Sequence, residues 1–369
     1  MIKQRFEMGE GLYLLNHSVG RLPVDTPSYL QTHFFEPWRT GSPDPWGQWM
    51  TVFGRFQQAL AALFHSRPEQ FCPQVNLSSG LSKLLGSFTA SQSKRVIVMT
   101  ENDFPSMGFA AEYGLPDGFE VRFIPKHLDI LDLDVWRQYL TDDVFAVFVT
   151  HAHYNTSKLT PVQEIVSMAH AHDALAIVDI AQSSGVVPID FSKWQADVVL
   201  GSCVKWLCGG PGAGFIWFNA GMANKLTPKD VGWFSHQNPF EFNIRHFEYA
   251  DDAARFWGGT PSVMPYVVAT NGINTLLEIG IEQIRHHNQS MTQHIIEQLD
   301  EKTVVSPIEP SQRGGTLVLK FVQQDEVAAA LQRQQVKFDV RPLGMRLSPH
   351  IYTDMSELDV LLDVFARYN

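Results

Sequence analysis

A mostly parallel β-sheet covered by helices on both faces, followed by a smaller α/β domain, is the fold class this sequence predicts. Three observations lead there. Between about residues 74 and 218, short β-branched runs alternate with stretches of helical spacing. Those runs are almost continuously apolar, the pattern of strands buried on both faces. The chain has 369 residues, 44% of them hydrophobic, which is more than one small core needs.

The elements follow in order. Residues 1–50, rich in Pro, Gly and aromatics, read as an irregular N-terminal arm that contributes to the small domain. Residues 51–65 carry apolar positions at helical spacing. Strands are expected at Val96–Met99, Val121–Ile124, Val144–Val149, Ala174–Val178, Ala196–Leu200 and Phe215–Phe218. Residues 51–262 form the large domain, ending in a long connector over 219–262. Residues 263–369 form the small one. There a helix runs from near Pro265 past His287, and strands fall at Thr316–Phe321, Phe338–Arg341 and Met345–Leu347. Further helices are expected over Gln324–Gln334 and Ser356–Tyr368.

Composition excludes several classes. The net charge of -11 argues against nucleic acid or an anionic membrane as partner. Three cysteines cannot all pair, so a reducing cytoplasm is expected. Met1–Glu7 lacks the apolar run of a signal peptide, and no stretch approaches the ~20 apolar residues of a membrane span.

In parallel sheets, ligands bind outside the carboxyl ends of the strands. Asp179 ends one strand, and Lys205 follows the next in the turn Gly201–Trp206, just before the glycine-rich Gly209–Gly214. A lysine can hold an aldehyde as a Schiff base, and a buried aspartate can keep a pyridine nitrogen protonated. The bland alternative is a structural ion pair. Asn76–Leu85 reads as small residues opening a helix, so Ser78, Ser79 and Gly80 form a phosphate cradle or an ordinary serine-capped turn. Ser202 is a further donor to a phosphate. Phe104 either stacks on a ring or packs in the core. Gly258–Ser262 resembles another small-residue anion loop. Arg346, between Met345 and Leu347, either clamps a carboxylate or lies in solvent. His151-Ala152-His153 and His170-Ala171-His172 have metal-like spacing without a third ligand, so no metal is expected.

Taken with Val178–Gly185 and Lys205–Gly212, the chain resembles the fold type I pyridoxal 5'-phosphate enzymes over roughly residues 10–365. More narrowly it resembles the class V aminotransferase group, which includes kynureninase and the cysteine desulfurases. The resemblance implies a pyridoxal-phosphate cofactor on Lys205, paired with Asp179 and stacked by Phe104. Ser78, Ser79, Gly80, Ser202 and Trp233 would hold its phosphate, and Tyr154 and Gln182 would contact its phenolic oxygen. Thr260 would reach the partner's site in a homodimer, and Arg346 would bind the carboxylate of an α-amino acid. Kynureninases usually carry tyrosine at Val204, histidine at Gln182, an acid at Met107 and asparagine at Thr260. These departures turn the expectation toward an aminotransferase-type reaction, with kynureninase-type Cβ–Cγ cleavage as the alternative. A non-catalytic binding module of the same fold is a third reading. No cysteine follows Cys208, which sets cysteine desulfurase activity aside.

Overall fold

The computed structural model describes residues 2–41, 43–91 and 93–368. Seven strands form the main sheet: β1 (Phe71–Gln74), β2 (Val96–Thr100), β3 (Glu120–Ile124), β4 (Val144–Thr150), β5 (Leu175–Asp179), β6 (Val198–Ser202) and β7 (Gly214–Phe218). Their order is β1-β7-β6-β5-β4-β2-β3. The pairs from β3 through β6 are parallel, while β7 runs antiparallel to β6 and β1.

The near-continuous apolar runs divide by residue parity between two cores, because successive side chains leave opposite faces of a strand. Val98, Val149, Val178 and Val199 join the core that includes Phe53, Phe56 and Leu60 of the helix Trp46–Phe64. Met99, Phe148, Ile177 and Leu200 join the core that includes Leu81, Leu84 and Leu85 of the helix Leu77–Gly86. That helix begins where Asn76 accepts a hydrogen bond from the Ser79 N–H at 2.8 Å, an N-cap that places its first turn at the carboxyl end of the sheet.

A second sheet is antiparallel, with β10 (Gly344–Leu347) between β8 (Leu317–Leu319) and β9 (Asp339–Arg341). Leu317, Leu319, Met345 and Leu347 share a third core with Leu331, Leu361 and Phe365. Leu12 and Leu14 of the N-terminal segment also pack there, so the chain's beginning is built into its end.

Three expectations need correction. The helix read as continuous from Pro265 past His287 is two helices, Met264–Ile279 and Ile281–Ile296. Gly280 between them has φ +95°, a left-handed conformation that no ordinary helix residue adopts. Residues Thr26–Thr40 are helical turns rather than irregular, with prolines near the starts of Thr26–Leu30 and Glu36–Thr40, where a missing N–H costs nothing. β1 was not expected, since Pro73 interrupts it. The strand lies at the sheet's edge, where proline is tolerated.

Candidate active site

The carboxyl ends of β4, β5 and β6 and the first turn of the helix Leu77–Gly86 enclose a cavity of about 180 Å³. Its lining includes Ser78, Phe104, Tyr154, Asp179, Gln182, Ser202 and Lys205, so most of the residues singled out in the sequence meet there. Asn76, from the segment read as a phosphate cradle, and Met107, where kynureninases carry an acid, also line it. So do Leu77, Thr150, Ala152 and Ala181, and of these sequence reasoning gave Thr150 no place. Thr150 stands directly beside Asp179 in the parallel register of β4 and β5.

Asp179 is buried, and its Oδ1 accepts the Ala181 N–H at 2.7 Å. Burial raises its pKa above the usual carboxylate range, opposed by the Ala181 N–H and by the charge of Lys205. Lys205 shows the converse. Burial lowers its pKa, Asp179 opposes that, and the nearby Arg346 charge adds to it. A lysine so placed holds its proton less tightly than one in water, so more of it is present as the free amine that can act as nucleophile or accept a proton.

The backbone around Lys205 is held from the N-terminal segment. Gly20 N–H donates to Val204 O at 2.9 Å, and a Cβ at Gly20 would lie 2.2 Å from Lys205 O. Only glycine permits that approach.

Phe104 caps the helix Pro105–Gly114 and leaves almost half its surface open. The Lys205 ammonium lies 5.9 Å from its ring centre, and Tyr154 meets the ring edge-on with centroids 5.2 Å apart. An accessible aromatic face, a buried carboxylate and a lysine on one wall form a donor set suited to a planar cationic heterocycle bearing an aldehyde. Ser78 at a capped helix start and Ser202 fit its anionic substituent.

Other expected residues lie differently. The Ser79 N–H is taken by the Asn76 cap. Gly80 is buried against the sheet, where a Cβ would approach Leu200 and Gln74 at 3.2 and 3.3 Å, so its glycine serves packing. Gln182 lines the cavity with both ends of its amide used. Its Nε2 donates to His17 O at 3.0 Å, and its Oε1 accepts from Trp206 Nε1 at 3.3 Å. Trp233 lines a separate depression with His236 and Phe242, and Thr260 is exposed ahead of the helix Met264–Ile279. The His-Ala-His pairs are engaged elsewhere. His151 Nδ1 meets Ser183 Oγ at 2.9 Å, His153 Nδ1 meets Asn102 O at 3.3 Å, and His170 and His172 bond Asp197 and Asp142.

Arg346 does not lie in solvent. It is 5% exposed on β10, directly across from Asp339 on β9. Its Nε donates to Asp339 Oδ1 at 2.8 Å, its Nη2 to Asp339 Oδ2, and its Nη1 to Tyr154 O at 3.0 Å. The guanidinium is thus fixed against the backbone of Tyr154, a residue of the cavity wall, although Arg346 is not itself among the residues lining the cavity.

Asp103 is a second buried carboxyl in this region. Its Oδ2 accepts the Thr100 N–H at 2.8 Å, while its buried Oδ1 is without a hydrogen bond among the described residues, the Thr150 hydroxyl being its polar neighbour. Burial pushes it up to about 7, opposed by the Thr100 N–H and reinforced by the Asp179 charge. An acid whose folded pKa exceeds its unfolded one binds its proton more tightly when folded. Its contribution to stability is therefore full at low pH and is lost as pH rises from about 4 to about 7. Asp103→Asn is expected to shrink the loss of unfolding free energy between pH 5 and pH 8 by on the order of 2 kcal/mol. Urea denaturation of both proteins at the two pH values measures it. Parallel pH dependences would remove Asp103 as the titrating group.

The fold and this cavity define a pyridoxal-phosphate enzyme of fold type I. The family model for class-V aminotransferases matches residues 81–360, and the chain belongs to that family. Its cofactor is pyridoxal 5'-phosphate, as the sequence led us to expect. The chain is 28% identical to kynureninase from Pseudomonas fluorescens, covering 97% of this chain and 89% of that protein. It is 26% identical to the uncharacterized aminotransferase YcbU of Bacillus subtilis, over 86% of this chain and 83% of that protein. Among solved structures it is similar to a cystine C–S lyase bound to cysteine persulfide, with a TM-score of 0.87 at 19% identity. That match covers 98% of both chains. The apo cysteine desulfurase of Thermococcus onnurineus matches with a TM-score of 0.83 at 19% identity, covering 97% of this chain and 94% of that one. Among the described residues, no helix is long and apolar enough to cross a membrane.

Proposed function

We propose that this protein acts on an α-amino acid with pyridoxal phosphate held on Lys205, in an aminotransferase-type reaction. The carrying observation is the placement of Lys205 and Asp179 on one cavity wall, each with its pKa moved by burial and opposed by the other's charge. Bound there, pyridoxal phosphate supplies an electron sink for a bond broken at the substrate's Cα. Asp179 provides the negative charge that keeps a pyridine nitrogen protonated. Phe104 offers its ring face, Tyr154 and Gln182 border the same space, and Ser78 and Ser202 offer hydroxyls to the phosphate. Ser79, Gly80, Trp233 and Thr260 sit at or beyond the margin of this cavity, so their expected contacts form the outer part of the proposal. Arg346 binds the substrate's α-carboxylate, and the Lys205 amine takes and returns the proton at Cα.

Kynureninase-type cleavage is the second reading, supported by the relative from P. fluorescens. Against it stand Val204, Gln182, Met107 and Thr260. A desulfurase role is not supported. Cys72, Cys203 and Cys208 are buried, and burial pushes Cys72 and Cys208 up to about 12, which keeps them protonated and inert. The same free cysteines support a cytoplasmic location. The deciding experiment incubates the loaded enzyme with amino acids plus 2-oxo acids, and separately with L-kynurenine. New amino and oxo acids support transamination. Anthranilate with alanine supports cleavage instead, and no product from either removes both readings.

A homodimer is part of the proposal. Trp38 is 63% exposed and Phe242 74% exposed, and ring contacts run from Trp38 through Trp49, Trp46 and Trp233 to Phe242. Trp46, Trp49 and Trp233 in the middle of this row are half-buried, and an aromatic row with two exposed ends is a surface a partner subunit could cover. Sedimentation velocity measures the mass directly, and a monomer at micromolar concentration would overturn this part.

A further inference from the structure

The proposed carboxylate site has a second layer that reaches it from the other end of the chain. Asp339 is not held by Arg346 alone. Its Oδ1 also faces His17 Nε2 at 3.0 Å, and its Oδ2 faces the exposed Arg341 Nε at 3.1 Å. Asp339 therefore stands between two arginines, one buried beside the cavity and one toward solvent. What biases it inward is His17, which is 2% exposed.

The direction of each hydrogen bond follows from chemistry. The Asp339 carboxylate only accepts, so the ring proton of His17 lies on Nε2. His17 Nδ1 then accepts from the Ser348 hydroxyl at 2.6 Å, and Ser348 Oγ accepts from the Thr316 hydroxyl at 2.9 Å. Burial is the main influence lowering the His17 pKa and the Arg346 and Lys205 charges add to it, so the ring is neutral despite the Asp339 charge. A neutral ring adds no charge to the site. It orients. The His17 carbonyl accepts from Gln182 Nε2, so the same residue touches the cavity wall and the arginine's partner.

We propose that His17 is a positioning residue, which fixes Asp339 and through it the Arg346 guanidinium in the orientation that receives the substrate's carboxylate. Without the Nε2–H, Asp339 turns toward Arg341 and Arg346 loses its fixed edge. The inference rests on the reading of Arg346 as the carboxylate site, and its consequence is selective. Ligands with a carboxylate lose affinity, and amines without one do not.

The test uses the pyridoxal-phosphate-loaded enzyme and follows binding by the change in its visible spectrum. The probes are L-alanine and ethylamine, which differ by the carboxylate. His17→Ala is expected to weaken L-alanine about tenfold or more while ethylamine changes less than about twofold. His17→Gln, whose amide N–H reaches toward the position of Nε2–H, is expected to recover L-alanine binding to within about threefold of the parent. Equal weakening of both probes would make His17 a general support of the fold and overturn the proposal. So would unchanged L-alanine binding in His17→Ala alongside a large loss in Arg346→Leu. If Arg346→Leu itself leaves L-alanine unaffected, the carboxylate reading of Arg346 fails and this inference with it.

Discussion

Lys205→Ala is expected to lower turnover by about 10³-fold or more and to abolish borohydride fixation of the cofactor to the chain. The lysine has two tasks in the proposal, holding the cofactor and moving the Cα proton, and among the described residues no other lysine lines the cavity. Its burial is what suits it to both, because the neutral amine is easier to reach there than in water. Peptide mass analysis after borohydride treatment locates the attachment. A Lys205→Ala enzyme with parental turnover would remove the amine from the mechanism, whereas a Lys205→Ala protein that kept full biological activity without turnover would favour the non-catalytic reading of the site.

The second large effect concerns charge. Asp179→Asn keeps the shape and the Ala181 contact but removes the carboxylate, and a fall of about 10²- to 10³-fold in kcat is expected. The variant also has a pH signature. Burial raises the Asp179 pKa, so the parent's kcat/KM should rise through an acid limb above the usual carboxylate range as the group ionises. Asparagine does not titrate, and that limb should vanish. A variant that loses rate but keeps the same acid limb would assign the limb to another group, with Asp103 next in line.

The strands that carry Asp179 and lead to Lys205 were legible because their apolar runs are local. Val198–Leu200 and Leu175–Val178 announce buried strands within a few residues, and the topology of such sheets puts Asp179 and Lys205 at one edge. What stayed hidden depends on pairing across the chain. Nothing near Arg346 marks Asp339 as its partner until β9 and β10 lie in register. His17 lay in the arm read as irregular, because its partners Asp339 and Ser348 are distant in sequence. Asp103 was passed over beside the more conspicuous Phe104, since a carboxylate's burial cannot be read from its neighbours. Gly80 was visible as a small residue at a helix start, but whether such a glycine faces a ligand or a sheet is decided by packing.

The joining of the chain's two ends has a consequence for biosynthesis. Leu14 N–H bonds Lys337 O, His17 bonds Asp339 and Ser348, and Gly20 clasps the loop of Lys205. Residues 14–17 leave the ribosome more than 300 residues before their partners at 337–348 and must wait for them before they can settle. Contacts of such long sequence separation form late. The main sheet can assemble during translation, with Lys205 and Asp179 in place, while the carboxylate site proposed at Arg346 is still incomplete. A nascent chain halted before β9 would hold the residues proposed to anchor the cofactor without those that select what the cofactor acts on.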